Sequence, residues 1–245
     1  MTLADKFFEA LGQELQELRQ TQMGAIDQAA DAIVESVAKG GILHIHDTGH
    51  MLITEAIGRA CGLMMVAPFS FSLNLNDPAR KRPGKSAPSY EDVAGYVRYA
   101  LASSTIQSGD VLIIGSVSGR ATQPIELALQ AKAMGVKVIG MTSVAHSSNA
   151  ICEHPGGKRL FEVADLVIDY RGPVGDAAVE VQGLDVKICP TSGLVAATVN
   201  WALTAQVVEK MMARGMTPSV WKSINVPDGA ECNARVRKQF EEQGY

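Results

Sequence analysis

Long apolar runs are missing from this 245-residue chain. No stretch approaches the roughly 20 apolar residues that a bilayer-spanning helix needs, and the opening "MTLADKFFEALGQELQELRQ" carries acids and no cleavable apolar segment. These absences predict a cytoplasmic protein with no membrane partner. A basic excess is missing too: 22 Lys and Arg stand against 26 Asp and Glu, a formal charge of -4. Nucleic acid and anionic membranes both call for a basic face, so neither is expected as a partner, and any anion bound is small. The four cysteines, Cys61, Cys152, Cys189 and Cys232, show no C-x-x-C spacing. That disfavours a zinc knuckle or redox pair and leaves reduced, partly buried thiols. G-x-x-x-x-G-K-[ST] and G-x-G-x-x-G are absent, which disfavours nucleoside triphosphate and dinucleotide sites, and no cofactor is expected.

What is present is alternation. Hydrophobic residues make up 47% of the chain, enough for one substantial core in a single domain spanning 1–245, with a helical segment 1–39, a core 40–215 and a tail 216–245. Leu3, Phe7, Leu11, Leu15 and Leu18, then Ile26, Ile33 and Val37, keep helical spacing, with Gly24 as a break between two segments. From Gly40 short strands alternate with helices. Ile42–His46 is a strand, a helix starts near His50, and "LMMVAP" is a second strand. Ser89 caps a helix with Glu91 and Asp92 in its first turn. Val111–Gly115, a helix Thr122–Met134, "VKVIGMT" and "ADLVIDY" follow. This order predicts an α/β fold, a three-layer sandwich around a mainly parallel five-stranded sheet, with extra helices at each end. The apolar helix Thr191–Gly215 would bury itself against the sheet or a second subunit. Asn74–Ser89, rich in Pro and basic residues, reads as a surface loop; Arg80, Lys81, Arg82 and Lys85 are solvated charge, or face a ligand or an interface.

"VLIIGSVSGRATQPIE" carries the strongest chemical signal. Ligands of open parallel sheets bind beyond the carboxyl ends of the strands, where Ser116, Ser118, Gly119 and Arg120 would lie. Backbone amides at a helix start favour an anion, the hydroxyls add donors, and Gly119 permits close approach. A phosphate without a nucleotide fits; a plain tight turn is the alternative.

"VLIIGSVSGRATQPIELALQAKAMGVKVIGMTS" resembles the second strand-loop-helix-strand unit of the sugar isomerase (SIS) domain, including the Thr142-Ser143 strand end. "HPGGKRLFEVADLVIDYRGPVGDAAV", "CPTSGLVAATVNWAL" and "INVPDGAECNARV" resemble stand-alone SIS proteins described as phosphosugar or phosphoheptose isomerases. The resemblance implies a flavodoxin-like sheet, a serine-rich loop that holds a sugar phosphate, and a homodimer or dimer of dimers. It also implies a glutamate on the helix after the first strand that moves the C2 proton; Glu55 matches that position, and Glu231 in the tail is the second candidate.

In "ILHIHDTGHMLITEAI", His44 and His46 share one face of a strand. A metal would need further ligands, so a structural or substrate-contact role is expected and no metal. The resembling subgroup carries a Gly-His-Ser-His-like loop where this chain has Asp47-Thr48-Gly49-His50, so His50 alone is kept, as a donor to the sugar oxygen. Asp47 beside a phosphate would repel it unless it meets a sugar hydroxyl. Thr191 and Ser192 would add donors to the anion or simply cap their helix. The expected activity is aldose-ketose isomerisation, or elimination by a related dehydratase or etherase-type lyase, on a hexose or amino-sugar phosphate. The rival is a sugar-phosphate sensor that works through a protein partner.

Overall fold

The computed structural model describes residues 1–49, 52–73, 84 and 88–245. His50 and the basic residues Arg80, Lys81, Arg82 and Lys85 lie outside the described residues. Five parallel strands, β1 (Leu43–Asp47), β2 (Val66–Pro68), β3 (Val111–Gly115), β4 (Lys137–Thr142) and β5 (Leu166–Asp169), form one sheet in the order β2-β1-β3-β4-β5. Alternate residues of each strand feed opposite cores, as a pleated backbone requires. Leu43, Ile45, Val111, Ile113, Ile139, Met141 and Ile168 enter one apolar cluster, while Leu112, Ile114 and Val138 enter the other.

The first face is covered by α1 (Leu3–Ala38), α2 (Leu52–Ala56) and α7 (Ser192–Ala213). The second is covered by α3 (Tyr90–Ala102), α4 (Thr122–Ala133) and α6 (Leu160–Val163). α5 (Val144–Asn149) follows β4, and α8 (Gly229–Gln243) closes the tail. The sheet and both helical layers agree with the expected sandwich, and Ser89 caps α3 through a reciprocal box with Asp92.

Gly24 does not break the first helix, which runs 36 residues without interruption. One glycine weakens a helix by only about 1 kcal/mol relative to alanine, and the fully buried Ile26, Ala29, Ala30 and Ile33 just beyond it offset that many times over. The second strand is shorter than "LMMVAP". Leu63 and Met64 instead pair with the tail, through the Leu63–Val220 bridge and a Met64 N–H bond to the Ser219 carbonyl. α7 buries its apolar side against α1 and the sheet, and its Lys210 Nζ lies 2.8 Å from both Asp27 and Asp31 of α1. No helix among the described residues is long and apolar enough to cross a membrane.

His44 and His46 are consumed by the fold. His44 Nε2 pairs with Asp110 Oδ2 at 3.2 Å, and Asp110 in turn accepts the Ile42 and Gln107 amides. His46 Nδ1 lies 2.8 Å from the Phe69 carbonyl, and its ring stacks on Phe71 at 5.3 Å. Burial pushes both imidazoles below their ordinary range, against the pull of Asp110 on His44 and of the Phe69 carbonyl on His46. Among the described residues no cluster of His, Cys, Asp or Glu could hold a metal ion.

Glu14 of α1 is also buried, 8% exposed, near Thr191 and Asp176. Burial, with the charges of Asp176 and Glu17 beside it, holds its carboxyl above the usual range. A carboxyl whose folded pKa is raised contributes stability that is full below the unfolded value of about 4.3 and is lost as pH rises through the folded pKa. Glu14→Gln, neutral at every pH, is therefore expected to melt higher than the wild type at pH 7.5 and to lose that advantage at pH 4. Differential scanning calorimetry at the two values checks this; a Glu14→Gln protein that melts lower at pH 7.5 contradicts it.

Candidate functional site

The chain leaves β1 toward β2 on one side and returns to β3 on the other, so the β1 and β3 carboxyl ends flank the switch point where open α/β sheets form their ligand crevice. Two bonds draw these ends together: the Thr48 N–H and Oγ1 both donate to the Gly115 carbonyl, at 3.0 and 3.2 Å. Asp47, the last residue of β1, accepts the Leu52 N–H at 2.9 Å and so opens α2. Its Oδ1 and the Leu52 side chain each lie 3.1 Å from where a Cβ on Gly115 would stand. The start of α2 therefore rests on the root of the serine loop.

The loop from Ser116 to Ala121 is pinned by its carbonyls. Val117 O accepts from Ser143 N and Thr142 Oγ1, Gly119 O from Leu160 N, and Arg120 O from Glu153 N, at 2.9 to 3.1 Å. With these three carbonyls held by neighbouring segments, the amides of residues 117–121 donate to no described residue. α4 follows directly, and its N-cap, Ala121, has no side-chain oxygen to satisfy the first turn. A run of unengaged amides at an uncapped helix start is the arrangement that binds an anion. Gly119 makes the turn possible: its φ is +52°, and a Cβ there would come within 3.1 Å of Leu160 Cβ, Ser147 Oγ and Thr142 Oγ1. The hydroxyls of Ser116, buried, and Ser118, half-buried, also make no hydrogen bond to a described residue.

The remaining candidates are placed differently. Arg120 turns aside to Glu153, 2.7 Å away. The α7 start is taken by Asp176, whose carboxylate accepts Ser192 N at 3.0 Å and Ser192 Oγ at 2.6 Å, while Thr191 is fully buried. An anion at that helix end would meet a carboxylate already there. Glu231 is exposed in the first turn of α8, a helix tied to residues 217–222 through Asn233 and Gln239. Glu55 lies one turn beyond Leu52, 24% exposed, held by the Trp201 indole N–H at 3.0 Å and by Arg59 at 3.3 Å. Trp201 and Asp176 escaped the sequence reading. A lone indole within the apolar "LVAATVNWAL" was the available signal for the first, and a cap 16 residues away has none.

Residues 6–143 of the chain match the family model of the SIS domain. The chain belongs to the SIS-domain family. Its relatives include a UPF0309 protein of Streptomyces griseus, 33% identical over 98% of this SIS chain and 96% of that protein. A UPF0309 protein of Halalkalibacterium halodurans is 35% identical over 92% and 91%. Among solved structures, a phosphoheptose isomerase from Francisella tularensis superposes with a TM-score of 0.52 at 16% identity, covering 85% of this chain and all of that one. The Vibrio vulnificus NanR protein complexed with ManNAc-6P gives 0.50 at 13%, over 98% of this chain and 69% of that one. At these identities the likeness is one of fold.

Proposed function

We propose that this SIS chain is an enzyme that isomerises a hexose or amino-sugar phosphate or eliminates from it. The observation that carries the reading is the loop 116–121: three of its carbonyls, those of Val117, Gly119 and Arg120, are held by neighbouring segments, and five successive amides are left for an anion at the head of α4. The phosphate takes these amides and the Ser116 and Ser118 hydroxyls. The open-chain sugar then extends toward α2, where Glu55 stands one turn from the residue packed on the loop's root. Glu55 takes the proton from C2, the C–H electron pair moves into an enediolate, and the carbonyl oxygen takes up the charge, with His50 as the donor to it. Return of the proton to C1, with the O2 proton passing to His50 in place of the one given to O1 as the C2 carbonyl forms, completes an aldose-ketose isomerisation; departure of a C3 substituent with the electron pair of its bond gives the lyase. Glu231, reaching from a second copy in a homodimer, is the alternative base.

The test is proton NMR in heavy water with fructose 6-phosphate, glucosamine 6-phosphate, N-acetylglucosamine 6-phosphate and sedoheptulose 7-phosphate. The expected result is loss of the C1 or C2 proton signal from one of them, with new resonances that distinguish isomer from elimination product. A second reading, a sensor, draws support from the ManNAc-6P complex of NanR, whose fold spans nearly all of this chain. Line broadening without exchange on any of the four would replace the enzyme with the sensor.

A further inference from the structure

We infer that Trp201 is the positioning residue for Glu55, an inference that rests on Glu55 acting as the base proposed above. α2 is only five residues long. A helix so short does not hold its own geometry, because nucleation costs more than a single turn returns, so the direction of the Glu55 carboxylate has to come from elsewhere. α7 supplies it. This helix runs 22 residues with its inner side buried against α1 and the sheet, and Trp201 stands near its middle.

The indole makes two contacts with the α2 region. Its Nε1–H donates to Glu55 Oε1 at 3.0 Å. Its six-membered ring covers Gly62, where an added Cβ would lie 3.5 Å from Cη2 and 3.2 Å from the Arg59 carbonyl. Gly62 is in turn fixed to the tail, since its carbonyl accepts the Trp221 N–H at 2.9 Å. The carboxylate and the segment after it are thus clamped by one rigid side chain.

The bonding at the carboxylate is lopsided. Both donors, the Trp201 indole and the Arg59 guanidinium, use Oε1. Oε2 receives no hydrogen bond from a described residue. One oxygen anchors the group while the other is presented to take a proton. Arg59 is 54% exposed, and a solvated guanidinium fixes a direction poorly. The half-buried indole is therefore the orienting contact.

Trp201→Phe keeps the ring on Gly62 and removes the N–H. Proton exchange on the responding sugar phosphate is expected to slow roughly 10- to 100-fold, the scale of a misplaced catalytic group, while KM moves less than about threefold, because the lost contact does not touch the phosphate loop. The chain has two tryptophans, so Trp221→Phe leaves Trp201 as the sole indole. Its emission is expected to move when Glu55→Gln is added, since a charged acceptor on the N–H becomes a neutral one; this arm leaves Trp201 unaltered and does not depend on the fold surviving its replacement. Normal exchange in Trp201→Phe, or identical emission with and without the Glu55→Gln change, overturns the inference while leaving the proposed function standing. A wild-type protein that exchanges no proton on any sugar phosphate overturns both.

Discussion

Glu55→Gln is expected to reduce proton exchange on the responding sugar phosphate by roughly 10²- to 10⁴-fold, the range that a general base contributes, with Kd changed by no more than a few-fold. The substitution is nearly isosteric. The amide oxygen can still accept from the Trp201 indole as Oε1 does, so α2 keeps its tie to α7 while the group loses the ability to take a proton. Removing an interaction made only in the transition state lowers kcat without raising KM, and the two are separated by following exchange at saturating and at limiting substrate. Exchange at the wild-type rate would mean that the base is elsewhere, and Glu231→Gln is then the next protein to make.

Ser118→Glu is expected to abolish sugar-phosphate binding. A carboxylate at residue 118 would stand among the amides proposed to take the phosphate, and like charges brought together at a binding site cost several kcal/mol. At about 1.4 kcal/mol per tenfold, this weakens Kd by at least roughly 100-fold. Ser118→Ala, which removes one donor to a charged ligand and adds no charge, should weaken it about tenfold. Calorimetric titration of both proteins, with circular dichroism to show that the half-buried position tolerates the change, gives the comparison. Unchanged affinity of Ser118→Glu for every sugar phosphate would remove the loop from the site.

The parts of this architecture that were legible in the sequence are those set by local pattern. Val111–Gly115 is a continuous β-branched and aliphatic run, and it is the central strand of the sheet. Ser89 reads directly as a cap with acids in the first turn behind it, and the structure adds the reciprocal bond from the Ser89 N–H to Asp92. The serine loop was legible because strand, turn and helix follow one another without interruption. What could not be read depends on distant partners. His44 and His46 acquire their roles from Asp110 and the Phe69 carbonyl, 66 and 23 residues away. Ser192 reads as a donor for an anion or as part of its helix's cap, and Asp176, which accepts from it, comes to it across an irregular segment that local pattern does not reveal. Arg120 looked like a phosphate ligand, and only folding brings Glu153 within 2.7 Å of it. Gly24 misled in the opposite direction: composition suggested a break, and packing on both sides of it kept the helix whole.

The long first helix has a consequence for how the chain comes to be folded. Its inner face meets β5 and α7, and Gln22 Oε1 accepts the amide of Asp169, 147 residues further on. A ribosome produces this helix well before β5 and α7. Until the last third of the chain emerges, the apolar stripe that includes Ile26, Ile33 and Val34 lacks β5 and α7, although β1, β3 and β4 are already made, and exposed apolar stripes on nascent chains are the surfaces that chaperones shield and that aggregate when unshielded. Closing contacts over such separations also slows folding, because the loop entropy falls due before the contact forms. The same helix that seals the finished core thus waits on late partners for part of its cover during synthesis.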